Sequence, residues 1–561
     1  MKTNWLLKEN LDFGEVTNIA NRLNIEKTTA ELAMSKNYRT PDEIYSFLNP
    51  ELSNLHDPFL FTQMERAVER IVRAVKAKEK ILIYGDYDVD GTTGTAFLYH
   101  ILKKMGTVSD FYIPNRVSEG YGLTEAGVEY CMTSSASLII TVDCGMGAGE
   151  RVKLLQKNGK DVIIIDHHEG TGEILPAVAV INSKIENYPF RELSACGIVF
   201  KLGQAIFERT KMDKEELWNY LDLVALATVC DVTPLIDENR IFVKEGLKVL
   251  SKTKNIGLQK LMEKTRLSGQ KLSPYQLGFI LGPRINAKGR LGDAKETVNL
   301  FTTQDGEEAS KIGQALENEN NERQKIQKQI IQEAEQEIKD VSEVIIIAKE
   351  GWHPGVIGIA ASKLADKFYR PTMLIALNGD IGRGSARSIP EFNIYEALSK
   401  CKELFSAFGG HKAAAGFTIK KENIPLLKDR IIERTNIKVL VKDLIPKIII
   451  DKKLSIQSIS EKLVNELEKI EPFGCGNSKP MFVSTGLQVI GYPRIVGNNH
   501  IKFKVRGDNK MGEVIGFGLK EMLMGTGEYI DLVYELKREN RGANSKIMLY
   551  AKDIDKNGKR S

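Results

Sequence analysis

The segment ILIYGDYDVDGTTG places Asp86, Asp88 and Asp90 at alternate positions and follows them with a glycine. A calcium loop of the EF-hand type would need a preceding helix and a bidentate glutamate at its twelfth position. Counted from Asp86, that position is Phe97, and the apolar run before the loop reads as a strand. The calcium loop is therefore excluded. Because Asp and Gly are ordinary turn residues, this segment alone leaves two alternatives open: a solvated turn or a catalytic metal site.

Further acids and histidines stand where other predicted elements end. Asp143 follows the run LIITV, Asp166-His167-His168 follow VIII, and Asp231 follows the apolar helix LVALATVC. Bringing several carboxylates together is costly unless cations neutralise them. Oxygen ligands with one or two histidines suit Mn²⁺ or Mg²⁺ better than zinc. Two such ions about 3.5–4 Å apart commonly serve phosphoryl hydrolysis, so we expect two divalent cations with Asp143 as the bridging ligand.

The elements that must position these residues alternate between strands and helices from residue 80 to residue 165. This alternation predicts a parallel, doubly wound α/β sheet, in which ligands bind at the carboxyl ends of the strands. Residues 307–340 are rich in helix formers and predict a long polar helix that bridges two domains. From about residue 446 the pattern changes to short strands, which predict a small β-barrel such as an OB-fold.

Composition limits the class of protein. With 561 residues, 42% of them apolar, the chain is expected to form several domains. The net charge of +5 does not by itself indicate nucleic-acid binding. Six cysteines without a C-x-x-C pair favour reduced thiols over a disulfide or zinc framework. No signal-peptide core and no apolar run long enough to span a bilayer is present, so we expect a cytoplasmic protein with no membrane partner.

Eight motifs in a fixed order carry a family resemblance. DYDVDG, VDCG, DHH and CDVTPL resemble the DHH phosphoesterase superfamily. GPRINAKGRLGDA, GWHPGVIGIAASKL, GRGSARS and FGGHKAAAGF narrow the resemblance to the RecJ family, from about residue 60 to the C-terminal region. Each motif alone is weak, but the ordered set is highly specific. The resemblance implies a single-strand-specific 5′→3′ DNA exonuclease of bacterial DNA repair and recombination that releases 5′-mononucleotides.

The resemblance also assigns metal ligands and catalytic residues. It implies that two Mn²⁺ or Mg²⁺ ions are bound by Asp88, Asp90, Asp143, His167 and Asp231. Asp86 belongs to the same motif, as a direct or indirect ligand, and His168 is expected beside the scissile phosphate, where it is catalytic together with Asp143. Many relatives have histidine immediately before the GD of the first motif, where this chain has Tyr84. This departure leaves one ion with fewer ligands and puts the metal preference in doubt.

Substrate contacts are expected outside the metal ligands. Basic and amide side chains that form a plausible track for a phosphodiester backbone are Arg284, Asn286, Arg290 and Arg323. By resemblance, a 5′-phosphate pocket that sets the polarity is formed by Arg116, Ser385 and Arg387, and His411 contacts substrate from a small-residue turn. For each residue a structural alternative stays open: a solvated loop base, a plain connector helix or a packed histidine.

The predicted barrel contains a basic segment that could bind a single strand. The basic segment from Arg494 to Lys510 with Phe503 matches a single-strand platform, although a solvated strand face explains it equally well. The rival functions in the same superfamily are hydrolysis of short oligonucleotides, cyclic dinucleotides, pyrophosphate or polyphosphate. These substrates need no long binding track, so the OB-like C-terminal domain and the long helix speak against them. A catalytically dead scaffold would have lost metal ligands, which this chain retains. The expected partners are single-stranded DNA, single-strand-binding protein and a RecQ-type helicase.

Five domains are predicted. They are an N-terminal helical segment (1–60), a DHH catalytic domain (61–235), a helical connector with the long helix (236–340), a DHHA1 substrate-binding domain (341–440) and an OB-fold domain (446–557).

Overall fold

The computed structural model describes residues 3–9, 11–116, 118–170, 172, 175–338, 341–435, 437, 444–541 and 544–556. The chain begins with one short strand and three helices: β1 (Asn4–Leu7), α1 (Phe13–Leu23), α2 (Lys27–Met34) and α3 (Pro41–Leu48). Thr40 and Glu43 form a capping box at the start of α3, where Pro41 occupies the first turn.

The next unit is built on a five-stranded parallel sheet of order β3-β2-β4-β5-β6. Its strands are β2 (Ile81–Gly85), β3 (Ser109–Tyr112), β4 (Leu138–Val142), β5 (Asp161–Ile165) and β6 (Ala179–Ile181). Every residue of β2 and β4 is buried, as expected for parallel strands covered on both faces. Because the strand order reverses between β2 and β4, a crevice is expected at their carboxyl ends.

Helices cover both faces of this sheet. They are α4 (Met64–Lys76), α5 (Val89–Lys104), α6 (Glu125–Thr133), α7 (Gly149–Lys157), α8 (Ala195–Thr210), α9 (Lys214–Trp218) and α10 (Leu221–Cys230). Apolar side chains of α4, α5, α8 and α10 form the core on one face, and those of α6 and α7 form a smaller core on the other. The doubly wound α/β sheet predicted from the sequence is thus confirmed.

A helical connector follows the parallel sheet. It contains α11 (Asp237–Leu250), α12 (Ile256–Lys264), α13 (Pro274–Gln276), α14 (Gly282–Leu291), α15 (Lys295–Thr302) and α16 (Gly306–Glu337), with a π-helical turn at Leu277–Leu281. The helix α16 has 32 residues, so it is about 48 Å long. Residues 339 and 340 of the predicted helix lie outside the described residues. Leu316 packs in the core of the parallel-sheet domain and Ile330 in that of the next domain, so α16 bridges the two.

The next domain has a five-stranded sheet of order β10-β11-β9-β8-β7, in which β7 and β8 pair in parallel and the other pairs are antiparallel. Its elements are β7 (Ile345–Glu350), α17 (Ile357–Phe368), β8 (Thr372–Asn378), β9 (Ile381–Arg387), α18 (Ile394–Ser399), β10 (Phe405–His411), β11 (Ala414–Lys420) and α19 (Ile424–Arg434). The helix α17 packs on the face of the sheet towards which Leu374 and Ala376 point.

The C-terminal domain is a β-barrel. Its elements are β12 (Lys447–Ile450), β13 (Lys452–Lys453), α20 (Glu461–Ile470), β14 (Phe482–Val496), β15 (His500–Gly507), β16 (Lys510–Gly516), β17 (Tyr529–Arg541) and β18 (Asn544–Asp555). The pairing of β14 with β17 closes a five-stranded barrel, which confirms the OB-like prediction. The domain boundaries given above remain a prediction.

Phe503 does not form the stacking platform predicted for the barrel. It is 4% exposed and packs in the barrel core. Because side chains alternate across a strand, an inward Phe503 sends its neighbours Lys502 and Lys504 towards the outside. The aromatic side chains that the barrel does expose include Tyr492 and Phe517.

The N-terminal segment belongs structurally to the C-terminal domain. Strand β1 pairs in parallel with β12, and apolar residues of α1, α2 and α3 share one core with α20 and the barrel. Arg240 of α11 in the connector contacts this assembly. Its buried guanidinium donates to backbone carbonyls of the N-terminal segment and of the C-terminal domain. Among the described residues, no helix combines the length and the apolar character needed to cross a bilayer.

Candidate metal centre and substrate cleft

The carboxyl ends of β2 and β4 carry the first acids of the site. Asp86 follows β2, and Asp88 caps α5 by accepting a hydrogen bond from the Gly91 N–H at 3.1 Å. A Cβ on Gly91 would lie 2.6 Å from the Asp86 carbonyl oxygen, so the glycine of the DVDG sequence lets the turn close. Asp143 follows β4 with φ of +66°, which is uncommon for a residue with a side chain. Such a conformation is often found at functional sites.

Asp90 is held in place by the start of a different helix. Its two carboxylate oxygens accept hydrogen bonds from the backbone N–H groups of Ala195 (2.6 Å) and Cys196 (2.8 Å), in the first turn of α8. The side chain is fully buried in the domain interior. The unpaired N–H groups of a helix N-terminus favour a negative charge, so α8 fixes the position of this carboxylate and partly offsets the cost of burying its charge.

His167 stands between three carboxylates. Its Nε2 lies 3.3 Å from Asp143 Oδ1 and 3.8 Å from Asp90 Oδ2, and its Nδ1 lies 3.7 Å from Asp231 Oδ2. Three groups of residues have ligand atoms close enough to hold a metal ion: Asp90–His167–Asp231, Asp86–Asp88–Asp143 and Asp143–His167–His168. Asp143 belongs to two of these groups, which is the placement required of a bridging ligand. All six predicted metal ligands therefore lie together.

Asp166 has a structural role in the same turn. Its carboxylate accepts hydrogen bonds from the backbone N–H groups of Met146, His167 and His168 and from His168 Nδ1 at 2.7 Å. These four donors satisfy the carboxylate. Asp166 therefore orients the two histidines.

The protonation equilibria reflect the burial of so many acids. Burial raises the pKa of Asp143, and repulsion from Asp88, Asp90 and Asp86 raises it further. Burial and then Asp88 raise the pKa of Asp90 to about 7, and burial and then Asp90 raise the pKa of Asp231 to about 9. Without cations, these carboxylates therefore bind protons at pH values where exposed acids are ionised.

The two histidines respond in opposite directions. Burial lowers the pKa of His167 to about 3, so its imidazole is neutral, as metal ligation requires. Burial also opposes the charge on His168, but the hydrogen bond to Asp166 outweighs it and raises the pKa of His168. His168 is the more exposed of the two, with 47% of its side chain accessible.

The donor set fits divalent cations. Asp86 Oδ1 and Asp143 Oδ1 are buried and have no hydrogen-bond partner among the described residues. A buried unpaired carboxylate oxygen is costly, and a cation would satisfy both atoms. Five carboxylates and two imidazoles form the oxygen-rich set that Mn²⁺ or Mg²⁺ prefers. The ligands predicted from the sequence are therefore positioned to hold two such ions.

Stability should depend on both pH and metal. The raised pKa values of Asp90 and Asp231 mean that the metal-free fold binds protons that the unfolded chain, with aspartate pKa values of about 3.9, has released. Metal-free stability is therefore expected to fall as pH rises from about 4, until Asp90 has ionised near 7 and Asp231 near 9. Cations relieve the same repulsion, so Mn²⁺ should raise Tm more at pH 8 than at pH 5.5. Thermal unfolding with Mn²⁺ and with EDTA at both pH values measures this difference, and an equal Mn²⁺ effect at both would contradict it.

Two tyrosines near the site differ in role. Tyr84, which stands where many relatives have histidine, donates its hydroxyl to the Gly122 carbonyl at 3.0 Å and is fully buried. Tyr121 was missed by the sequence analysis: its hydroxyl donates to the Asp143 carbonyl at 3.0 Å and lies 3.1 Å from His168 Nδ1. This contact depends on tertiary packing, and neither spacing nor composition around Tyr121 signals it.

A cavity of about 400 Å³ adjoins the parallel-sheet domain, between Arg116 and the sheet of β9, β10 and β11. Ser385 lines the cavity, and Arg387 Nη1 lies 3.0 Å from the Ser385 hydroxyl. A Cβ on Gly358 would lie 2.8 Å from Ser385 Oγ and 2.9 Å from Arg387 Nη2, so the first turn of α17 packs directly on this pair. Burial and then Arg116 lower the pKa of Arg387, which places the two guanidinium groups near each other.

Two further arginines predicted to contact substrate, Arg290 and Arg323, differ in their position relative to this cavity. Arg290 donates to the Gly355 carbonyl at 3.0 Å, and its pKa is lowered to about 10 by burial and then by Arg116, Arg323 and Arg387. It therefore lies beside the cavity. Arg323 is buried on α16, where it donates to Asn320 and Gln327, and its Nε has no partner among the described residues.

Of the eight predicted substrate residues, Arg116 and Ser385 line this cavity and the other six do not, Arg284, Asn286 and His411 among them. Arg284 pairs with Glu317 at 2.5 Å, so its guanidinium is occupied by the bridging helix. Asn286 is half-buried on α14. His411 is exposed at the end of β10, opposite Ala414, which in turn is opposite Arg387. His411 thus lies two strands from Arg387 on the same face of the sheet.

Comparisons with known proteins agree with this geometry. Family models match residues 80–228 (DHH family, N-terminal domain), 341–436 (DHHA1 domain) and 450–553 (RecJ OB domain). The chain is 36% identical to the single-stranded-DNA-specific exonuclease RecJ of Bacillus subtilis strain 168, over 97% of this chain and 70% of that protein.

Two solved structures are similar over nearly the whole chain. The crystal structure of RecJ from Thermus thermophilus in complex with Mn²⁺ superposes with a TM-score of 0.85 at 25% identity, covering 99% of this chain and 80% of that one. The Mg²⁺ complex from the same organism gives a TM-score of 0.79 at 25% identity, covering 98% and 78%.

The parallel sheet with acids and histidines at its strand ends defines a phosphoesterase of the DHH class. The DHHA1 sheet and the closed barrel that follow it narrow this class. The chain belongs to the RecJ family.

Proposed function

We propose that this protein is a metal-dependent exonuclease specific for single-stranded DNA, which degrades it from the 5′ end to 5′-mononucleotides in repair and recombination. The observation that carries the proposal is the cluster of Asp86, Asp88, Asp90, Asp143, His167 and Asp231 beside an arginine-lined cavity. The family match and the relatives named for this activity support it.

The metal ligands prepare the site for hydrolysis of a phosphodiester. Bound Mn²⁺ or Mg²⁺ ions would activate the attacking water and offset the charge that develops on the phosphate oxygens. Asp86, Asp88 and Asp143 would hold one ion, Asp90, His167 and Asp231 would hold the other, and Asp143 would be shared by both. His167 contributes a neutral imidazole between them. Because the backbone of α8 fixes Asp90, this ligand is positioned before any ion binds.

His168 is the proposed contact to the scissile phosphate. Its ring is oriented by Asp166 at 2.7 Å and lies beside Asp143 at 3.9 Å. The half-exposed side chain can reach a substrate in the crevice, whereas the buried His167 cannot. A protonated imidazole donates hydrogen bonds to phosphate oxygens, so His168 would position the ester for attack.

The polarity would come from the pocket of Arg116, Ser385 and Arg387. A guanidinium pair, a hydroxyl and the N-terminus of α17 recognise a terminal phosphate. When this pocket holds the 5′ phosphate, the next phosphodiester is presented to the metal ligands, and one nucleotide leaves at each turnover.

The direct test is an assay of purified protein on strands labelled at the 5′ or 3′ end, with Mn²⁺ or with EDTA. We expect Mn²⁺-dependent release of mononucleotide label from the 5′ end of single strands first, and little digestion of blunt duplex. Early release of the 3′ label, or equal digestion of duplex, would contradict the proposal.

Replacing Arg387 by alanine should remove the preference for phosphorylated ends. Charge-assisted phosphate contacts are strong, and the loss of one is expected to lower kcat/KM on 5′-phosphorylated strands by about tenfold to a hundredfold. Release of the first nucleotide from 5′-hydroxyl strands should change much less, and first releases are compared because every later end carries a 5′ phosphate. The ratio of the two rates is the measurement, and Lys363→Gln, which removes an exposed charge from the same domain, is the control. An unchanged ratio would show that the pocket lies elsewhere.

We also propose a cytoplasmic location and cooperation with single-strand-binding protein and a RecQ-type helicase, because an exonuclease of this specificity requires exposed single strands. Co-purification of these proteins with the full chain tests the partnership.

A further inference from the structure

The cavity is larger than a terminal phosphate requires. A water molecule takes about 30 Å³ of the liquid, and this cavity has about 400 Å³. Ser385 and Arg387, which the proposed function assigns to the 5′ phosphate, meet the first turn of α17 at one part of it. The rest of the wall is formed by Arg116, Arg383, the segment of Pro354, Gly355 and Ile357, and strands β10 and β11. The space beyond the phosphate position is therefore large enough for further phosphate groups.

Arg383 faces this remaining space. It lies on β9 two residues before Ser385, so the two side chains point to the same face of the sheet, about 7 Å apart along the strand. Arg383 lines the cavity, is exposed and forms no hydrogen bond or ion pair with the described residues. An arginine in a cavity wall with its five donors unused is suited to an anionic ligand.

Positive charge around the cavity exceeds what one phosphate neutralises. Arg116 and Arg383 line it, and Arg290 and Arg387 lie beside it. None of the described residues in its wall is acidic. A phosphate monoester carries about two negative charges, whereas two guanidinium groups line this cavity and two more lie beside it. Burial, and then repulsion from neighbouring arginines, lowers the pKa of Arg387 and of Arg290, so further negative charge is favoured.

We infer that the cavity accepts 5′-di- and triphosphorylated ends of the single strand, and that Arg383 binds the phosphates beyond the first. This inference rests on the proposed exonuclease function and extends its substrate class from monophosphorylated to polyphosphorylated termini. Hydrolysis itself is unchanged: water attacks the first internucleotide phosphorus, the 3′ oxygen of the terminal nucleotide leaves with a proton, and that nucleotide is released with its polyphosphate intact.

Binding to the metal-free protein tests the cavity separately from catalysis, because the arginines do not depend on metal. Calorimetry in EDTA with inorganic phosphate and with tripolyphosphate should show about tenfold or tighter binding of tripolyphosphate. Arg383→Gln should remove this difference and leave phosphate binding within about twofold, whereas the exposed control Lys363→Gln should bind both as the native protein does. Equal affinity of the native protein for the two anions would overturn the inference.

An assay on strands with different 5′ ends shows whether the cavity accepts the terminus of a strand or a free nucleotide. With Mn²⁺, the native protein should release the first nucleotide of a 5′-triphosphorylated single strand at least as fast as that of the monophosphorylated strand. Arg383→Gln should slow only this first release, by about tenfold, because the shortened strand carries a 5′ monophosphate. Binding of tripolyphosphate or ATP, combined with rejection of the triphosphorylated strand, would mean that the cavity takes a free nucleotide and would also overturn the inference. Failure of the proposed function itself would differ, since no strand would then be degraded.

Discussion

Replacing Asp143 by asparagine is expected to reduce exonuclease turnover by at least about a thousandfold, because several kcal/mol of transition-state stabilisation depend on correctly held cations. The asparagine would keep the shape of the side chain and lose its charge. Asp143 is shared by two of the three groups that can hold a metal, and its Oδ1 is buried without a hydrogen-bond partner among the described residues. Neither proposed ion would therefore keep its full set of ligands.

A buried aspartate of the same domain provides the control for this variant. Asp222 is also buried, with a pKa raised to about 6 by burial, but its carboxylate is occupied by Thr253 at 2.5 Å and by a backbone N–H group. Asp222→Asn should retain turnover within about tenfold if it folds. Steady-state kinetics on a 5′-phosphorylated single strand, together with Mn²⁺ binding by calorimetry, measure both variants. An Asp143→Asn protein with near-native turnover would show that this residue does not bridge the ions.

Replacing Arg240 by methionine is expected to destabilise the contact between the connector and the C-terminal domain by about 3 kcal/mol, because buried carbonyls lose a charged hydrogen-bond donor. The guanidinium donates to the carbonyls of Phe47 (3.0 Å), Ile470 (2.7 Å), Lys469 (2.8 Å) and Glu471 (2.9 Å). Methionine fills similar space, but it removes the donor that these carbonyls share, and among the described residues only the Ile470 carbonyl keeps a second donor, Asn477 Nδ2 at 2.9 Å. The N-terminal helices and the barrel should then separate from the connector more readily.

Because a chain of several domains rarely unfolds in two states, the measurement for Arg240→Met is the first thermal transition and the rate of limited proteolysis. We expect an earlier first transition and faster cleavage. Arg73→Met, at a side chain that is 68% exposed, is the control. It should change the free energy of unfolding by no more than about 0.5 kcal/mol, so both the first transition and the cleavage rate should stay close to those of the native protein. If the two variants behaved alike, Arg240 would not join the units.

The sequence was sufficient to predict the position of a site residue where that residue directly follows a recognisable strand or helix. Asp143 and the DHH turn end β-branched runs, so their convergence followed from the rule that ligands bind at the carboxyl ends of parallel strands. The structure places both at one crevice. The long helix α16 was predictable for a similar reason, since 32 residues form an uninterrupted helix that packs on two domains.

Other features depend on contacts that no local pattern encodes. Phe503 stands among basic residues in sequence, yet the strand alternation points it into the barrel core. Arg284 pairs with Glu317, 33 positions later in the chain. The sequence could have identified Arg383 as a further candidate for substrate binding, because it alternates with Ser385 and Arg387 along β9. The sequence could not have predicted that residues 4–48 pack on the barrel, because strand β1 pairs with a segment more than 400 residues away.

The central claim is that acids from separate strand ends hold a pair of divalent cations. Crystals of the protein soaked in Mn²⁺ and measured at the manganese absorption edge test it directly. The expected result is two anomalous peaks about 3.5–4 Å apart, with Asp143 contacting both and with Asp90, His167 and Asp231 around one of them. A crevice without anomalous signal, or a single peak away from Asp143, would contradict the account.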